Sequence, residues 1–218
     1  MAQNQASGEI EFYFDLVSPF AYMAFQKIAS LAGKYDRDVR YRAISLATVK
    51  KAAGNTGPSN RDIPPKYAYL KQDLARWAEI YGVPFAFPDP AMAPTAARDT
   101  ETAHRGIPFA EQHGKAREFI AAFWRLSWGE GRFVGDPVVL TGAIAETGLP
   151  EQAFLDFAAS PEAALAYEAT TQDACARGIF GVPTMICDGQ MWWGNDRLDM
   201  LDQYLTSSTR TVLAGRAP

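Results

Sequence analysis

The chain has 218 residues and a mass of 23.9 kDa, enough for one large domain or two small ones with a real core. A composition 48% hydrophobic and 21% charged excludes disorder and collagen-like structure. With 21 Lys and Arg against 25 Asp and Glu, the net charge is −4, and no block of like charge stands out to offer nucleic acid a basic face. No segment reaches the roughly 18 uninterrupted apolar residues of a membrane helix. Residues 1–8 are polar and uncharged, unlike a secretory signal, and read as a loose tail on a cytoplasmic protein. Two cysteines, Cys175 and Cys187, make neither a disulfide framework nor a Cys-x-x-Cys pair, and are expected to be ordinary thiols of a reducing compartment.

The first ordered element begins at Glu9, where Ile10, Phe12 and Phe14 alternate with Glu11, Tyr13 and Asp15 as in a strand. Ser18-Pro19 then supplies an N-cap serine and a first-turn proline, predicting a helix from Phe20 to Leu31 that stops near Gly33. Asp38 to Ile44 alternates again, so the chain opens as β-α-β, two parallel strands joined by a right-handed crossover.

Residues 47–178 carry helical patterns and almost no strand signal. Tyr67, Leu70, Leu74, Trp77 and Tyr81 form an apolar stripe that Gly82-Val83-Pro84 ends. Further helices are predicted over Phe109–Ser127, Pro137–Thr147 and Pro161–Arg177, with Pro88, Pro90 and Pro94 marking a loop between helices. The last fifty residues return to β: Val182–Cys187 and Gln190–Trp193 flank an Asp188-Gly189 turn, and Asn195-Asp196 can cap a final helix bearing Leu198, Leu201 and Leu205. Strands on both sides of an all-helical block predict one sheet built from both chain ends. The fold class is α/β.

Three stretches are candidates for chemistry. Ser18 alone reads as a structural cap; read functionally, it sits at the positive end of a helix, where an anion such as a thiolate is favoured and a hydroxyl can donate to it. His104 and His113 show no motif linking them to Ser18 and read as solvated or core-edge residues, and no metal-ligand spacing appears. Gly181-Val182-Pro183-Thr184 reads either as the start of a strand or as a cis Val182-Pro183 bond leaving the Val182 backbone open to an extended peptide-like ligand. Trp192-Trp193-Gly194-Asn195-Asp196-Arg197 reads as a hairpin end and cap, or as a site where Asp196 takes an ammonium.

The joint order of Ser-Pro-Phe-Ala at the β-α-β start, a helical block, and Gly-Val-Pro-Thr before a hairpin resembles the DsbA-like thioredoxin fold. Redox members carry Cys-x-x-Cys where this chain has Ser18 and Ala21, and disulfide exchange needs both thiols. The serine form is similar to the 2-hydroxychromene-2-carboxylate isomerases and the related kappa-class glutathione transferases. Lys51-Ala52-Ala53-Gly54-Asn55, Lys66 with Tyr69 and Asp73, and Tyr81-Gly82-Val83-Pro84-Phe85 add to the likeness. The resemblance implies a thioredoxin-like domain formed by 9–46 and 179–218, with 47–178 inserted as a helical domain. It also implies glutathione as cofactor and a small aromatic substrate. Ser18 would hydrogen-bond the sulfur, and Val182 beside cis Pro183 would pair with the cysteinyl part. Asn195 and Asp196 would hold the γ-glutamyl end, while Asn55 and Lys66 would take other polar groups. Ala21 departs from the serine often found there in the isomerases. Relatives imply a homodimer. An aromatic pocket is expected from some of Trp77, Tyr81, Phe85, Phe87, Phe123, Trp124 and Trp128. The competing functions are a conjugating transferase on the same thiolate site and a non-catalytic thioredoxin-like binding protein.

Overall fold

A computed structural model describes residues 8–88 and 100–214, and of residues 208–214 only the backbone. Of the expected tail only Gly8 falls within these bounds; Pro90 and Pro94 lie outside them. Four strands, β1 (Glu9–Phe14), β2 (Asp38–Ala43), β3 (Thr184–Cys187) and β4 (Gln190–Trp193), form one sheet in the order β2-β1-β3-β4. β1 and β2 are parallel, while β1–β3 and β3–β4 are antiparallel. The two chain ends therefore meet on the central strand, as the pattern of strand signals predicts.

The sheet is covered on both faces. Ile10, Phe12 and Phe14 enter the main core with α1 (Pro19–Gly33) and the helical block, whereas Tyr13 packs with Ile44, Val49, Ala174, Ile179 and Ile186 on the other side. Tyr13 and Asp15, the polar partners in the alternation, are thus buried as well. Tyr13 keeps its hydroxyl satisfied by donating to Glu11 Oε2 or Asp173 Oδ2 at 3.0 and 3.1 Å.

Between β2 and β3 run α2 (Leu46–Ala52), α3 (Pro64–Tyr81), α4 (Glu101–Gln112), α5 (Ala116–Trp124), α6 (Pro137–Thr147), α7 (Glu151–Ala158) and α8 (Pro161–Ala176), with α9 (Leu198–Ala214) closing the chain. Side-chain caps explain several starts: Ser18, Ser45, Asp136 and Ser160 each accept a backbone N–H of the first turn. The single helix expected over Phe109–Ser127 is two. Its apolar stripe crosses Gly114, whose φ of +66° turns the chain between α4 and α5, and a π-helical turn at Arg125–Gly129 ends the second. α2, α7 and the first half of α4 are not among the predicted helices. Strand β3 starts at Thr184 rather than Val182, and Asn195–Arg197 is a 3₁₀ turn in which Asn195 makes no cap bond.

Trp124 is the pivot of the main core. Fully buried, its ring lies 5.3 Å from that of Phe14 on the sheet and 5.1 Å from that of Phe25 on α1, so α5 is keyed directly to the strand that leads into Ser18.

Candidate active site

The segment Asp15–Ser18 between β1 and α1 is held by its own short-range bonds and by side chains from the helical block. The Leu16 N–H donates to His104 Nε2 at 2.9 Å, and the Leu16 carbonyl accepts the indole N–H of Trp124 (3.0 Å) and of Trp128 (3.2 Å). The Asp15 carboxylate accepts the N–H groups of Val17 (3.0 Å) and Leu46 (2.8 Å) and lies 3.2 Å from His104 Nε2. Burial alone would raise the Asp15 carboxyl, but the His104 ring and these two N–H donors outweigh it and hold the group below the ordinary aspartate range. His104 is therefore no core-edge residue. It is 2% exposed and stacks on Tyr167, serving the loop rather than solvent. The sequence conceals this because residues 16 and 104 are joined only by the tertiary fold. His113, by contrast, turns its Nδ1 to the Phe109 carbonyl one turn back on its own helix.

So fixed, Ser18 stands at the start of α1, 6% exposed, its Oγ accepting the Ala21 N–H at 3.2 Å. That bond uses a lone pair and leaves the hydroxyl proton available, so the side chain can donate to an anion lying off the helix N-terminus. Among the described residues Ser18 bonds no histidine, and the site lacks a general base that would make the serine itself a nucleophile. Cys187 offers no alternative: it is buried, and burial pushes its thiol up to about 11.

Ser18 opens onto a cavity of about 780 Å³ that also takes in Asn55, Lys66 and Val182. The Val182-Pro183 peptide is cis, and among the described residues no intrachain hydrogen bond engages the Val182 N–H or C=O. Phe20, Phe180 and Trp193 give the cavity its aromatic wall, with the last two rings 4.8 Å apart edge to face. The approach is close: a Cβ at Gly181 would come 2.6 Å from Trp193 Nε1.

Four of the seven expected site positions, Ser18, Asn55, Lys66 and Val182, thus converge. Pro183 lies behind Val182 and is buried. Asn195 and Asp196 do not line the cavity. Asn195 is buried under the Tyr81 hydroxyl, which donates to its carbonyl at 3.2 Å, and its side-chain amide nitrogen has no partner among the described residues. Asp196 is exposed, paired with Arg197 and folded against Gly194. Of the seven aromatics, some of which were expected to form the pocket, none lines this cavity: Phe123 and Trp124 are core, and Trp128 serves the Leu16 carbonyl. Two cavity cations were missed by sequence, Lys50 on the last turn of α2 and Arg61 in the turn before α3. Nothing in their local pattern separates them from solvated surface cations.

Among the described residues the cavity lining holds the cations Lys50, Arg61 and Lys66 and no carboxylate, a balance that favours anionic ligands.

Comparison with known proteins identifies the family. The family model of the DSBA-like thioredoxin domain matches residues 9–206. A 2-hydroxychromene-2-carboxylate isomerase of Pseudomonas putida is 41% identical over 194 residues, 88% of this chain and 92% of that one. The chain belongs to this isomerase family, on a DsbA-like thioredoxin fold. A solved structure of a 2-hydroxychromene-2-carboxylate isomerase superposes with a TM-score of 0.86 at 37% identity, covering 96% of this chain and all of the other. The human protein named glutathione S-transferase kappa 1 is a more distant relative, 23% identical over 90% of each chain. Membership of the isomerase family makes the chain an enzyme, and among the described residues no helix is long and apolar enough to cross a membrane.

Proposed function

We propose that this isomerase interconverts 2-hydroxychromene-2-carboxylate and trans-o-hydroxybenzylidenepyruvate, or a close aromatic analogue, with glutathione as its cofactor. The observation that carries the reading is Ser18: a hydroxyl with a proton to donate, capping a helix N-terminus, at the place where redox relatives carry a cysteine. A sulfur brought in by a ligand fits where the chain has none of its own. The rest of the cavity also fits a tripeptide: among the described residues the Val182 N–H and C=O have no intrachain partner, and the lining carries cations but no carboxylate.

When bound, glutathione would supply a nucleophilic thiolate for reversible addition to the conjugated carbon of the ring-opened enone acid, chemistry that lets the former double bond rotate and returns the thiolate. The protein's part is to keep that sulfur ionised. A free thiol has a pKa near 8.5, so it is mostly protonated at neutral pH. Lowering it by about two units takes roughly 2.7 kcal/mol, which a charge-assisted bond from Ser18 and the positive end of α1 are together able to supply. Val182 would hold the cysteinyl backbone in register, while Asn55 and Lys66 would take polar groups, Lys66 a carboxylate. Asn195 and Asp196 would reach the γ-glutamyl end only from outside the present cavity lining.

The test is turnover of the aromatic acid with and without glutathione. Isomerisation that depends on glutathione and returns it in full supports the proposal. Consumption of glutathione in step with product would mark a conjugating transferase, and turnover without it would remove the thiolate from the mechanism.

A further inference from the structure

Resting on that reading, we propose that His104 is the positioning residue for Ser18, and that it holds the serine in place only while its ring is neutral. Its Nε2 faces two groups that require opposite proton states. The Leu16 N–H reaches it at 2.9 Å and needs a bare lone pair, which puts the ring proton on Nδ1. Asp15 Oδ1 stands 3.2 Å from the same atom and bonds to it only when it carries a proton. One nitrogen cannot satisfy both. Once Nε2 is protonated, two N–H groups oppose each other at hydrogen-bond distance. Leu16 is fully buried, and among the described residues its N–H has no other acceptor. The Leu16 peptide must then turn away as the imidazolium closes on Asp15.

That movement reaches Ser18 by a short route. The Asp15 carbonyl accepts the Ser18 N–H at 3.0 Å, and Asp15 Oδ1 accepts the Val17 N–H at 3.0 Å. The residue drawn to the imidazolium is therefore the one that shapes the turn into α1. A hydroxyl donates along one direction, and turning the segment that carries it takes the proton off the line to a bound sulfur. Protons have a way in: His104 and Asp15 line a second cavity of about 780 Å³ that shares Val17, Leu46 and Lys50 with the Ser18 cavity.

The other ionisable groups around the ring do not replace Asp15. From α8, Tyr167 stacks on it at 5.3 Å, its hydroxyl raised by burial above the ordinary range, and Glu168 lines the same cavity. α2 brings Lys50 to that lining. On α4 itself Glu101 pairs with Arg105. A smaller cavity of about 160 Å³, which His104 also lines, takes Glu111 from α4 and Arg40, Tyr41 and Arg42 from β2. Among the described residues only Asp15 lies within ion-pair distance of Nε2.

The experiment uses the full chain, His104→Ala and His104→Gln, with two readouts. The first is NMR of the ligand-free protein, following the Leu16 amide and the His104 ring from about pH 5 to 8, where imidazoles titrate. In wild type both should move with one midpoint, and the protection of the Leu16 amide against hydrogen exchange should fall about tenfold below it. The second is kcat against pH at saturating glutathione. Ionisation of the bound thiol contributes one proton to the acid limb, so wild type should fall with two protons below both midpoints. His104→Ala should lower kcat about tenfold even above the limb. Glutamine offers an amide oxygen to Leu16 and an amide N–H to Asp15 without titrating, so His104→Gln should recover most of that loss and show a one-proton limb. A two-proton limb in His104→Gln, a one-proton limb in wild type, or a Leu16 amide indifferent to the ring's proton would overturn the assignment. If the two NMR signals titrate together but turnover needs no glutathione, the reaction proposed above fails and the proton-dependent hold on Leu16 stands. If turnover depends on glutathione with the same limb in wild type and His104→Gln, the role of His104 fails and the reaction stands.

Discussion

Ser18 and Lys66 line one cavity, and their surroundings differ in nearly every respect. The Ser18 wall is buried, its loop pinned by His104, Trp124 and Trp128 from three separate helical elements. The wall from Asn55 to Lys66 is largely exposed and is held mainly by its own short-range bonds, the Ser59–Asp62 capping box among them. A group that must stabilise a developing charge gains from being fixed before the ligand arrives, because no energy is then spent on reorganisation. Groups that only collect ligand carboxylates tolerate a looser frame. The helical block thus does more than cover the sheet: it holds the loop in which Ser18 sits.

Substitutions sharpen that contrast, beginning with the largest effect. Ser18→Ala should lower kcat by about 10²- to 10³-fold, the loss typical of one donor to a reacting anion. Unfolding in urea should show a loss of only about 1 kcal/mol, that of a helix cap. Trp124→Phe, more than 100 residues away in sequence, should cost about 2 kcal/mol of stability and reduce kcat with little change in glutathione affinity. If kcat held, the clamp on Leu16 would have no bearing on the serine.

Asp15 gives the same wall a pH signature. Its carboxyl is lower in the folded chain than in the unfolded one, so its contribution is complete above the unfolded value of about 3.9 and is lost as pH falls through the folded value. Urea unfolding of wild type should therefore weaken as pH drops below about 4, and Asp15→Asn should flatten that slope. Equal slopes would show that Asp15 titrates alike in both states. The smallest effect is expected from the looser wall: Lys66→Ala should weaken glutathione binding by about 1 kcal/mol, with kcat at saturation and the unfolding midpoint nearly unchanged.

The same contrast explains what the sequence made legible. Ser18-Pro19 and the Val182-Pro183 peptide are local signals, a cap with a first-turn proline and an X-Pro bond, and both appear where they were read. The sheet follows from alternation at the two chain ends. The His104–Leu16 and Trp124–Leu16 bonds span 88 and 108 residues, and no periodicity or spacing encodes such a pairing. For the same reason the aromatic residues of the helical block could be recognised as apolar but not sorted. Trp124 and Phe123 went to the core, and the cavity took Phe20, Phe180 and Trp193 instead. Lys50 and Arg61 resemble any solvated cation until the fold brings them into the cavity lining. Asn195 and Asp196 show the opposite case, a motif in the expected place whose side chains stand outside the cavity lining.

The most direct test is an ultraviolet titration of the thiolate of glutathione bound to the wild-type chain and to Ser18→Ala. The wild-type complex should ionise about two pKa units below free glutathione, with much of that shift lost in the variant. A bound thiol that ionises as it does in buffer, or one equally acidic without the serine hydroxyl, would contradict it.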